Sequence, residues 1–314
     1  MRIRAAVLEE LGAPLAIEEL ELAEPKAGEA LVRLAACGVC HTDLHTASGA
    51  DPSGYAPTVL GHEGAGVVER VGEGVTSLAP GDHVVTLFSP QCRECRHCRS
   101  PRTNLCLAIR EQQNKGFLPD GTTRLSRDGA PIRHFMGTST FAEYAVMPEI
   151  ALARVTPEAP LEGACLFACG LSTGIGAATN TARVEPGSTC AVFGAGLVGL
   201  GAVIGCRLQG AERIVCVDLS DERLELARRH GATEVLHGGD DVVERIVEST
   251  GGFGADYDAI ELSVRAAYAV LVLAVAVWLL RSGAPLGAAA AVAAGIAGRR
   301  LVESARLRRP PGRA

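Results

Sequence analysis

Four cysteines lie close together in the stretch QCRECRHCRSPRTNLC, residues 91–106. They are Cys92, Cys95, Cys98 and Cys106, with the spacing C-x2-C-x2-C-x7-C. Such a cluster forms either disulfide bonds or a metal site. The chain begins MRIRAAVLEELGAPLAIEEL, which lacks the apolar core of an export signal. We therefore expect a reducing, cytoplasmic compartment, in which metal binding by cysteine is favoured over disulfides.

Zinc binds four thiolates in a tetrahedron, and ligands two residues apart on a tight loop reach one ion without strain. All four positions are then filled by protein, so we predict a structural zinc that stabilises a lobe. The alternative is four reduced surface thiols without metal, which would be a chemical liability. A zinc ribbon that binds nucleic acid is not expected, because the flanks carry no aromatic platform and no opposing CxxC, and the net charge is −6.

The residue pattern of the chain changes near Pro157. Before it, short β-branched runs (ALVRLAA, GAGVVERVG, GDHVVTLF and FAEYAVM) predict an irregular, mostly antiparallel β domain over residues 1–155. After it, the apolar strands TCAVFG and RIVCVD alternate with the helices LVGLGAVIGCRLQG and DERLELARRHG, and ADYDAIEL is expected to be the next strand. This pattern predicts βαβ units with a parallel sheet over residues 156–262, so the fold class is α/β.

A glycine-rich turn follows the first of these apolar strands. Gly194, Gly196 and Gly199 form a GxGxxG pattern at the start of a helix, and Asp218 ends the next strand nineteen residues later. The glycines allow a pyrophosphate to approach the helix N-terminus, and the carboxylate can hold both ribose hydroxyls while repelling a 2′-phosphate. The pattern favours NAD over NADP; the alternative is a glycine-rich turn without a ligand.

Further metal-binding residue types are scattered along the chain. Cys40, His62 and Cys169 are individually weak candidates, because a histidine beside glycines is often a packing residue and a cysteine in an apolar run often belongs to the core. Two thiolates and one imidazole with one open position, however, form a known catalytic zinc arrangement.

Five longer motifs are distinctive when taken together: CGVCHTDLHTASGADP, GHEGAGVVERVGEGV, QCRECRHCRSPRTNLC, ACGLSTGIGAATNTA and CAVFGAGLVGLG. In these motifs, and up to about Leu262, the chain resembles the zinc-dependent medium-chain alcohol dehydrogenases, most of all the class III type, the S-(hydroxymethyl)glutathione dehydrogenases. This resemblance implies a GroES-like catalytic domain, a Rossmann coenzyme domain, two zinc ions per chain, NAD and a homo-oligomer. The implied reaction is hydride transfer between a primary alcohol, or an S-hydroxymethyl thiol adduct, and NAD.

The resemblance also implies roles for individual residues. The catalytic zinc is held by Cys40, His62 and Cys169, and Glu63 approaches the metal during ligand exchange. A proton leaves the alcohol through Thr42, the coenzyme ribose and His45. The two implied coenzyme contacts outside the glycine-rich turn are His41 at the pyrophosphate and Arg223 at the adenosine ribose.

Substrate choice is left open by the sequence. Asp51 and Arg110 stand where the class III type contacts glutathione, and an arginine there can pair with a carboxylate. Ser53 stands where that type has a glutamate, however, and Phe88 where it has a tyrosine. An ordinary primary alcohol or aldehyde therefore remains an alternative substrate.

The family pattern ends near residue 262, so the Rossmann domain expected over residues 156–262 is only partial. Residues 1–262 carry 22 basic and 35 acidic residues, whereas residues 263–314 carry eight arginines and one acid. Two uncharged runs, 266–280 and 282–298, are each shorter than the roughly 20 residues of a membrane span. This apolar helical tail is expected to be either a membrane hairpin or fused or out-of-frame sequence. A catalytically impaired, membrane-associated zinc protein is accordingly the alternative to an active enzyme.

Overall fold

The computed structural model describes residues 1–100, 102–239 and 241–258. The chain forms two compact units, Met1–Gly170 and a second that begins at Leu171. The predicted tail, 263–314, lies outside the described residues.

A closed five-stranded barrel forms one part of the first unit. Its strands, in hydrogen-bonding order, are β1 (Arg2–Leu8), β2 (Ala16–Leu22), β7 (Leu125–Arg127), β8 (Ala130–His134) and β4 (Thr58–Val59). The sequences RIRAAVL and AIEELEL place charged and apolar residues on opposite faces of β1 and β2, since side chains alternate along a strand. Their inward side chains form a buried core together with Leu31 and Val146 from other strands of the unit. The core residues from the barrel strands are Ile3, Ala5, Val7, Leu20, Leu22, Val59, Leu125 and Ile132.

A five-stranded antiparallel sheet forms the rest of this β domain. Its order is β10 (Leu152–Arg154), β6 (His83–Thr86), β5 (Glu63–Val71), β3 (Glu29–Gly38) and β9 (Tyr144–Pro148). The four runs predicted from the sequence correspond to β3, β5, β6 and β9, so the predicted antiparallel β domain is confirmed.

The helices of the first unit are short. They are α1 (His41–Ala47), α2 (Leu107–Gln113) and α3 (Leu161–Ala164), with 3-10 turns at Thr103–Leu105, Glu149–Ala151 and Cys165–Ala168. Ala164 and Cys165 pack against Ala65 and Val85 of the antiparallel sheet. Because of this packing, the first helical residues after Pro157, up to Gly170, still belong to the first unit.

The second unit contains a parallel sheet. Its order is β13 (Glu234–His237), β12 (Arg213–Asp218), β11 (Thr189–Phe193) and β14 (Tyr257–Asp258), which confirms the predicted Rossmann arrangement. The central residues of both strands are buried, which explains why CAV in TCAVF and IVCV in RIVCVD are apolar. β13 was not predicted, because EVLH is only four residues long and lies between a helix and two glycines.

Helices flank the strands of this sheet. They are α4 (Gly170–Gly176), which continues as a π-helical stretch (Ala177–Ala182), α5 (Leu197–Leu208), α6 (Asp221–His230) and α7 (Val242–Ser249). The α6 sequence contains its own end signals. The Ser220 hydroxyl accepts a hydrogen bond from the Arg223 N–H at 3.4 Å, and Gly231 ends the helix with φ 119°.

In the part of the chain that the structure describes, no single helix is long and apolar enough to cross a membrane. Within residues 1–258, apart from the two undescribed positions, a bent pair, Leu161–Ala168 and Gly170–Ala182, reaches that length and composition when its two helices are taken together.

A fully buried histidine makes the barrel sensitive to acid. His134 Nε2 accepts a hydrogen bond from the Arg124 N–H at 3.1 Å, while Nδ1 has no partner among the described residues. Burial, reinforced by the Arg124 charge, lowers the pKa of His134 to about 3. The imidazole is therefore neutral in the folded chain but takes up a proton in the unfolded chain below about pH 6.5.

Stability contributed by neutral His134 is complete above pH 6.5 and falls as the pH drops toward the folded-state pKa. We expect the wild type to lose about 2 kcal/mol more unfolding free energy between pH 7 and pH 5 than His134→Gln, which keeps the acceptor but does not titrate. Urea unfolding at the two pH values measures this difference. His230→Gln, at an exposed histidine, should behave as wild type. If His134→Gln lost as much unfolding free energy between pH 7 and pH 5 as the wild type does, the assignment would be contradicted.

Candidate metal centres and coenzyme site

The structure gathers the four clustered cysteines around one point. The sulfur atoms of Cys92, Cys95, Cys98 and Cys106 all lie within 4.8 Å of one another. Arg93 adopts a left-handed conformation (φ 65°), which tightens the loop between the first two cysteines. The Cys95 N–H then donates to Cys92 Sγ at 3.3 Å, and the Cys92 N–H donates to Cys106 Sγ at 3.4 Å. Four converging sulfurs with amide donors fit a tetrahedral zinc.

Two thiols of this group, Cys95 and Cys98, differ in acidity. A backbone hydrogen bond from Cys98 lowers the pKa of Cys95 to about 6, whereas burial raises the pKa of Cys98 to about 12. Thiolates packed this closely repel one another, so a divalent cation at their centre is what allows all four to ionise.

A second donor group brings together residues that are far apart in sequence. Sγ of Cys40 and Cys169, a ring nitrogen of His62 and a carboxylate oxygen of Glu63 lie within 4.8 Å of one another. Cys40 immediately precedes α1, His62 and Glu63 stand at the start of β5, and Cys169 follows the turn Cys165–Ala168. All four belong to the first compact unit.

A buried carboxylate orients the histidine of this group. Asp43 Oδ1 lies 3.2 Å from His62 Nδ1 and accepts the Gly61 N–H at 3.1 Å, while Oδ2 accepts the Cys40 N–H at 2.9 Å. With Nδ1–H bound to Asp43, Nε2 is the nitrogen free to bind a metal. The motif CGVCHTDLH includes Asp43, but the sequence assigned it no role. The signal available was an acidic residue three positions after Cys40, and the contact with His62 is made only by the fold.

The electrostatics of the second group suit a cation. Hydrogen bonds from Cys169 and His62 lower the pKa of Cys40 to about 3. Burial opposes protonation of His62, but the bonds to Asp43 and Cys40 outweigh it and raise its pKa to about 9. The bond to thiolate Cys40 raises the pKa of Cys169, and burial raises that of Glu63. The donor set of two sulfurs and one imidazole nitrogen, with a carboxylate beside it, fits zinc.

Two phenyl rings line this group. Phe88 and Phe135 contact the His62 ring edge-to-face, with centroids 5.6 and 5.9 Å away. Thr86, at the end of β6, holds the residue before β5 in place, since its hydroxyl donates to the His62 carbonyl at 2.8 Å. Phe88, predicted at the substrate, therefore lies beside the metal donors.

The predicted relay residues occupy one side of α1. Thr42 Oγ1 lies 3.4 Å from Cys40 Sγ, at the donor group. His45 follows one turn later and is exposed, as residues three apart on a helix are neighbours on its surface. His41, the predicted pyrophosphate contact, is also exposed and begins the helix.

The predicted glutathione contacts are on the surface of the same unit. Asp51 accepts hydrogen bonds from Ser53 (N–H, 2.8 Å; hydroxyl, 2.7 Å) and from the Thr46 hydroxyl (3.1 Å). Arg110 is exposed on α2 and donates to the Asn104 carbonyl at 3.0 Å. Its guanidinium retains further N–H groups that can pair with an anion.

The glycine-rich turn of the second unit forms an open cradle at the start of α5. Gly194 has φ 90°, a conformation that suits glycine, and Gly196 caps the helix. A Cβ on Gly199 would lie 1.7 Å from the Gly194 carbonyl oxygen, so the helix can pack this closely only with glycine there. At Gly194 and Gly196 a Cβ would meet no described atom within 4 Å, which leaves room for a pyrophosphate at the helix N-terminus.

Asp218 is the last residue of β12 and faces this turn. Its Oδ2 accepts the Ala195 N–H at 2.7 Å, and its Oδ1 accepts the Ser220 N–H at 2.9 Å. Burial opposes ionisation, but these bonds and the nearby charge of Arg223 outweigh it and lower the pKa of Asp218. The carboxylate thus holds the turn in place and keeps lone pairs for a ribose diol, which fits the adenosine half of NAD.

Two family descriptions match the chain. The alcohol dehydrogenase GroES-like domain matches residues 26–157, and the zinc-binding dehydrogenase description matches residues 198–277. A class-3 alcohol dehydrogenase from Myxine glutinosa is 53% identical over 256 residues, which cover 81% of this chain and 68% of that protein. An S-(hydroxymethyl)glutathione dehydrogenase from Escherichia coli O1:K1 / APEC is 55% identical over 240 residues, 76% of this chain and 65% of that protein. The chain thus spans about two thirds of the length of these curated relatives.

Solved structures show the same likeness. An alcohol dehydrogenase zinc-binding domain protein from Burkholderia ambifaria has a TM-score of 0.77 at 42% identity, over 82% of this chain and 70% of that one. For a benzyl alcohol dehydrogenase from Acinetobacter calcoaceticus the values are 0.75 and 35%, with the same coverage. A zinc-binding dehydrogenase from Sinorhizobium meliloti 1021 bound to NADP has a TM-score of 0.61 at 29% identity, over 78% of this chain and 64% of that one.

Proposed function

The chain belongs to the zinc-dependent alcohol dehydrogenase family, and we propose on this basis that it transfers a hydride between a primary alcohol and NAD. The observation that carries the proposal is the convergence of Cys40, His62 and Cys169 on one point, with Glu63 beside them. A zinc ion bound there would supply Lewis acidity, and NAD bound at the glycine-rich turn would accept the hydride.

The residues of the chain supply orientation and proton transfer. Asp43 holds the His62 ring so that Nε2 faces the metal position. Thr42 Oγ1 accepts the alcohol proton as its own hydroxyl proton moves on toward His45, and exposed His45 takes up a proton from this relay and releases one to solvent. We assign the ribose contact to Asp218, the pyrophosphate contact to His41 and the adenosine contact to Arg223.

The four-cysteine group has a different role in this proposal. A zinc ion on Cys92, Cys95, Cys98 and Cys106 stabilises the loop before α2 and takes no part in the reaction, since four sulfurs leave no open position. The protein therefore holds two zinc ions per chain.

We propose an S-hydroxymethyl adduct of glutathione as the substrate, with Arg110 pairing with a carboxylate of the tripeptide and Asp51 with its ammonium group. The names of the relatives and the free N–H groups of exposed Arg110 support this choice. A simple primary alcohol is the second candidate, supported by the phenyl ring of Phe88 beside His62.

Initial rates of NADH formation with S-(hydroxymethyl)glutathione and with primary alcohols test the function and the substrate together. If the adduct is the substrate, Arg110→Ala should raise the KM for the adduct by about tenfold or more and leave the KM for a simple alcohol unchanged. Equal effects on both substrates would contradict the glutathione assignment. Absence of NADH formation with either substrate would contradict the function and favour the catalytically impaired zinc protein, an alternative that the comparisons do not favour.

Asp218 is expected to determine coenzyme choice. Asp218→Asn keeps an acceptor for the turn but removes the charge that opposes a 2′-phosphate, so the ratio of kcat/KM for NAD over NADP should fall at least about tenfold. Coenzyme titration at saturating substrate measures the ratio. Asp221→Asn, an exposed neighbour on α6, is the matched control, and an unchanged ratio in Asp218→Asn would refute the assignment.

We also propose a homo-oligomer in a reducing compartment. All eleven cysteines are free thiols in the structure, which fits such a compartment. Sedimentation of the purified chain tests the oligomer.

A further inference from the structure

One side-chain amide joins two separate segments of the first unit. Gln113 is the last residue of α2, and its Nε2 atom donates to the Phe88 carbonyl and to the Met136 carbonyl, each at 2.6 Å. An amide nitrogen carries two N–H groups, so each segment receives one of them. The contacts also fix the orientation of the amide, because its oxygen could donate to neither carbonyl.

The two segments carry the phenyl rings that line the donor group around His62. Phe88 belongs to the first segment, and Phe135 directly precedes Met136 in the second. Both rings contact the His62 ring edge-to-face, with centroids 5.6 and 5.9 Å away. The position of the two rings beside His62 therefore depends on where the two carbonyls are held.

The second segment has a backbone conformation that needs support. Met136 is left-handed (φ 51°), which a non-glycine residue adopts where its surroundings hold it in place. The Tyr55 hydroxyl supports the same turn by donating to the His134 carbonyl at 2.8 Å. Of these two supports, the Gln113 amide is the one that also reaches the Phe88 segment.

Removal of the amide should change the spacing of the two segments. Without the two N–H groups, the Phe88 and Met136 carbonyls would face each other without a donor between them. Both oxygens carry partial negative charge, so they would move apart to reach water. The phenyl rings would move with their segments, and the space beside His62 would widen.

We propose that Gln113 is a positioning residue that sets substrate selectivity: by holding the Phe88 and Met136 carbonyls together, it limits the bulk of the alcohol that fits beside His62. The inference deepens the proposed function and rests on it for the substrate class. Gln113 takes no part in proton or hydride transfer, so its loss should alter the affinity for bulky alcohols more than the rate of the chemical step.

The test compares benzyl alcohol with ethanol. Each is measured as a substrate, or as a competitive inhibitor of S-(hydroxymethyl)glutathione oxidation where it is not itself oxidised. In Gln113→Leu, which removes both donors at similar volume, the affinity for benzyl alcohol relative to ethanol should rise at least about tenfold. The kcat for the substrate that the wild type oxidises should stay within about threefold of the wild-type value.

Gln113→Glu separates the role of the N–H groups from that of side-chain shape. Glutamate has nearly the shape of glutamine but offers at most one donor, so it cannot bridge both carbonyls. We expect the same shift in relative affinity as in Gln113→Leu. The matched control is Gln112→Leu, at the neighbouring glutamine of α2, which should keep the wild-type relative affinity.

Hydrogen exchange of the full chain reports on positioning without any need for turnover. The Thr138 and Ser139 N–H groups donate to the Phe135 carbonyl at 3.0 and 3.2 Å. In both Gln113 variants these two amides should exchange at least about tenfold faster than in wild type, because the turn has lost one of the contacts that hold it. Gln112→Leu should exchange as wild type does.

Wild-type relative affinity in both Gln113 variants would overturn the proposal, and so would unchanged exchange at Thr138 and Ser139. A shift in Gln113→Leu without one in Gln113→Glu would also overturn it, because side-chain shape and not the N–H groups would then set selectivity. A wild type that forms no NADH with any of the three substrates would contradict the proposed function and the role in selectivity. Faster exchange in the variants of such a chain would still show that Gln113 positions the two segments.

Discussion

Cys169→Ala is expected to remove one of two zinc ions and to lower kcat/KM for alcohol oxidation by more than about 10³-fold. The loss of one preorganised charge-stabilising group already costs about 10² to 10³ in rate, and here the whole Lewis acid leaves with its ligand. Metal analysis of the dialysed protein and the NADH assay measure the two effects.

The reason lies in the composition of the donor group. Without the Cys169 sulfur, Cys40 and His62 remain with Glu63. Glu63 could offer a carboxylate oxygen in place of the missing sulfur, but a group left with a single thiolate should hold zinc more weakly than one with two. The four-cysteine group lies elsewhere in the unit, so its zinc should stay.

Cys165→Ala is the matched control, because this cysteine is buried in the same short segment but is outside the donor group. It should lose stability through a small cavity and keep both zinc ions. Two zinc ions and wild-type turnover in Cys169→Ala would show that the second group is not the catalytic centre.

Local patterns in the sequence predicted the features that depend on neighbouring residues. Cys92, Cys95 and Cys98 lie on one loop, so their spacing alone fixes the distance between sulfurs. The turn with Gly194, Gly196 and Gly199 was predictable for the same reason, since strand, turn and helix follow one another directly.

Features that depend on distant pairs needed either the family resemblance or the structure. Cys40, His62 and Cys169 come from three separate segments, and only the resemblance joined them. No role was predicted for Asp43. It acts through a contact with His62 across nineteen residues. Such a contact leaves no periodic or local pattern.

The largest effect on structure is expected in the loop of residues 92–106, which carries the four-cysteine group. Cys95→Ser should lose the structural zinc and open the loop of residues 92–106, because metal binding at a four-thiolate site is coupled to folding and contributes on the order of 10 kcal/mol. Trypsin provides a direct readout: Arg93, Arg96, Arg99 and Arg102 lie within the loop. We expect cleavage there at least about tenfold faster than in wild type, as proteolysis follows the population of the open form.

The control Glu94→Ser changes an exposed neighbour of Cys95 and should keep two zinc ions and wild-type resistance to trypsin. Chelation of the wild-type protein should reproduce the Cys95→Ser cleavage pattern if the metal, and not the cysteine side chain, holds the loop. The barrel strands should resist cleavage in both cases, since their core of Ile3, Leu20 and Ile132 does not include the loop. A Cys95→Ser chain that keeps two zinc ions and resists trypsin would contradict a four-thiolate site. With zinc lost but the loop uncut, the packing of buried Ile109 and Leu118, and not the metal, would be what holds this lobe together.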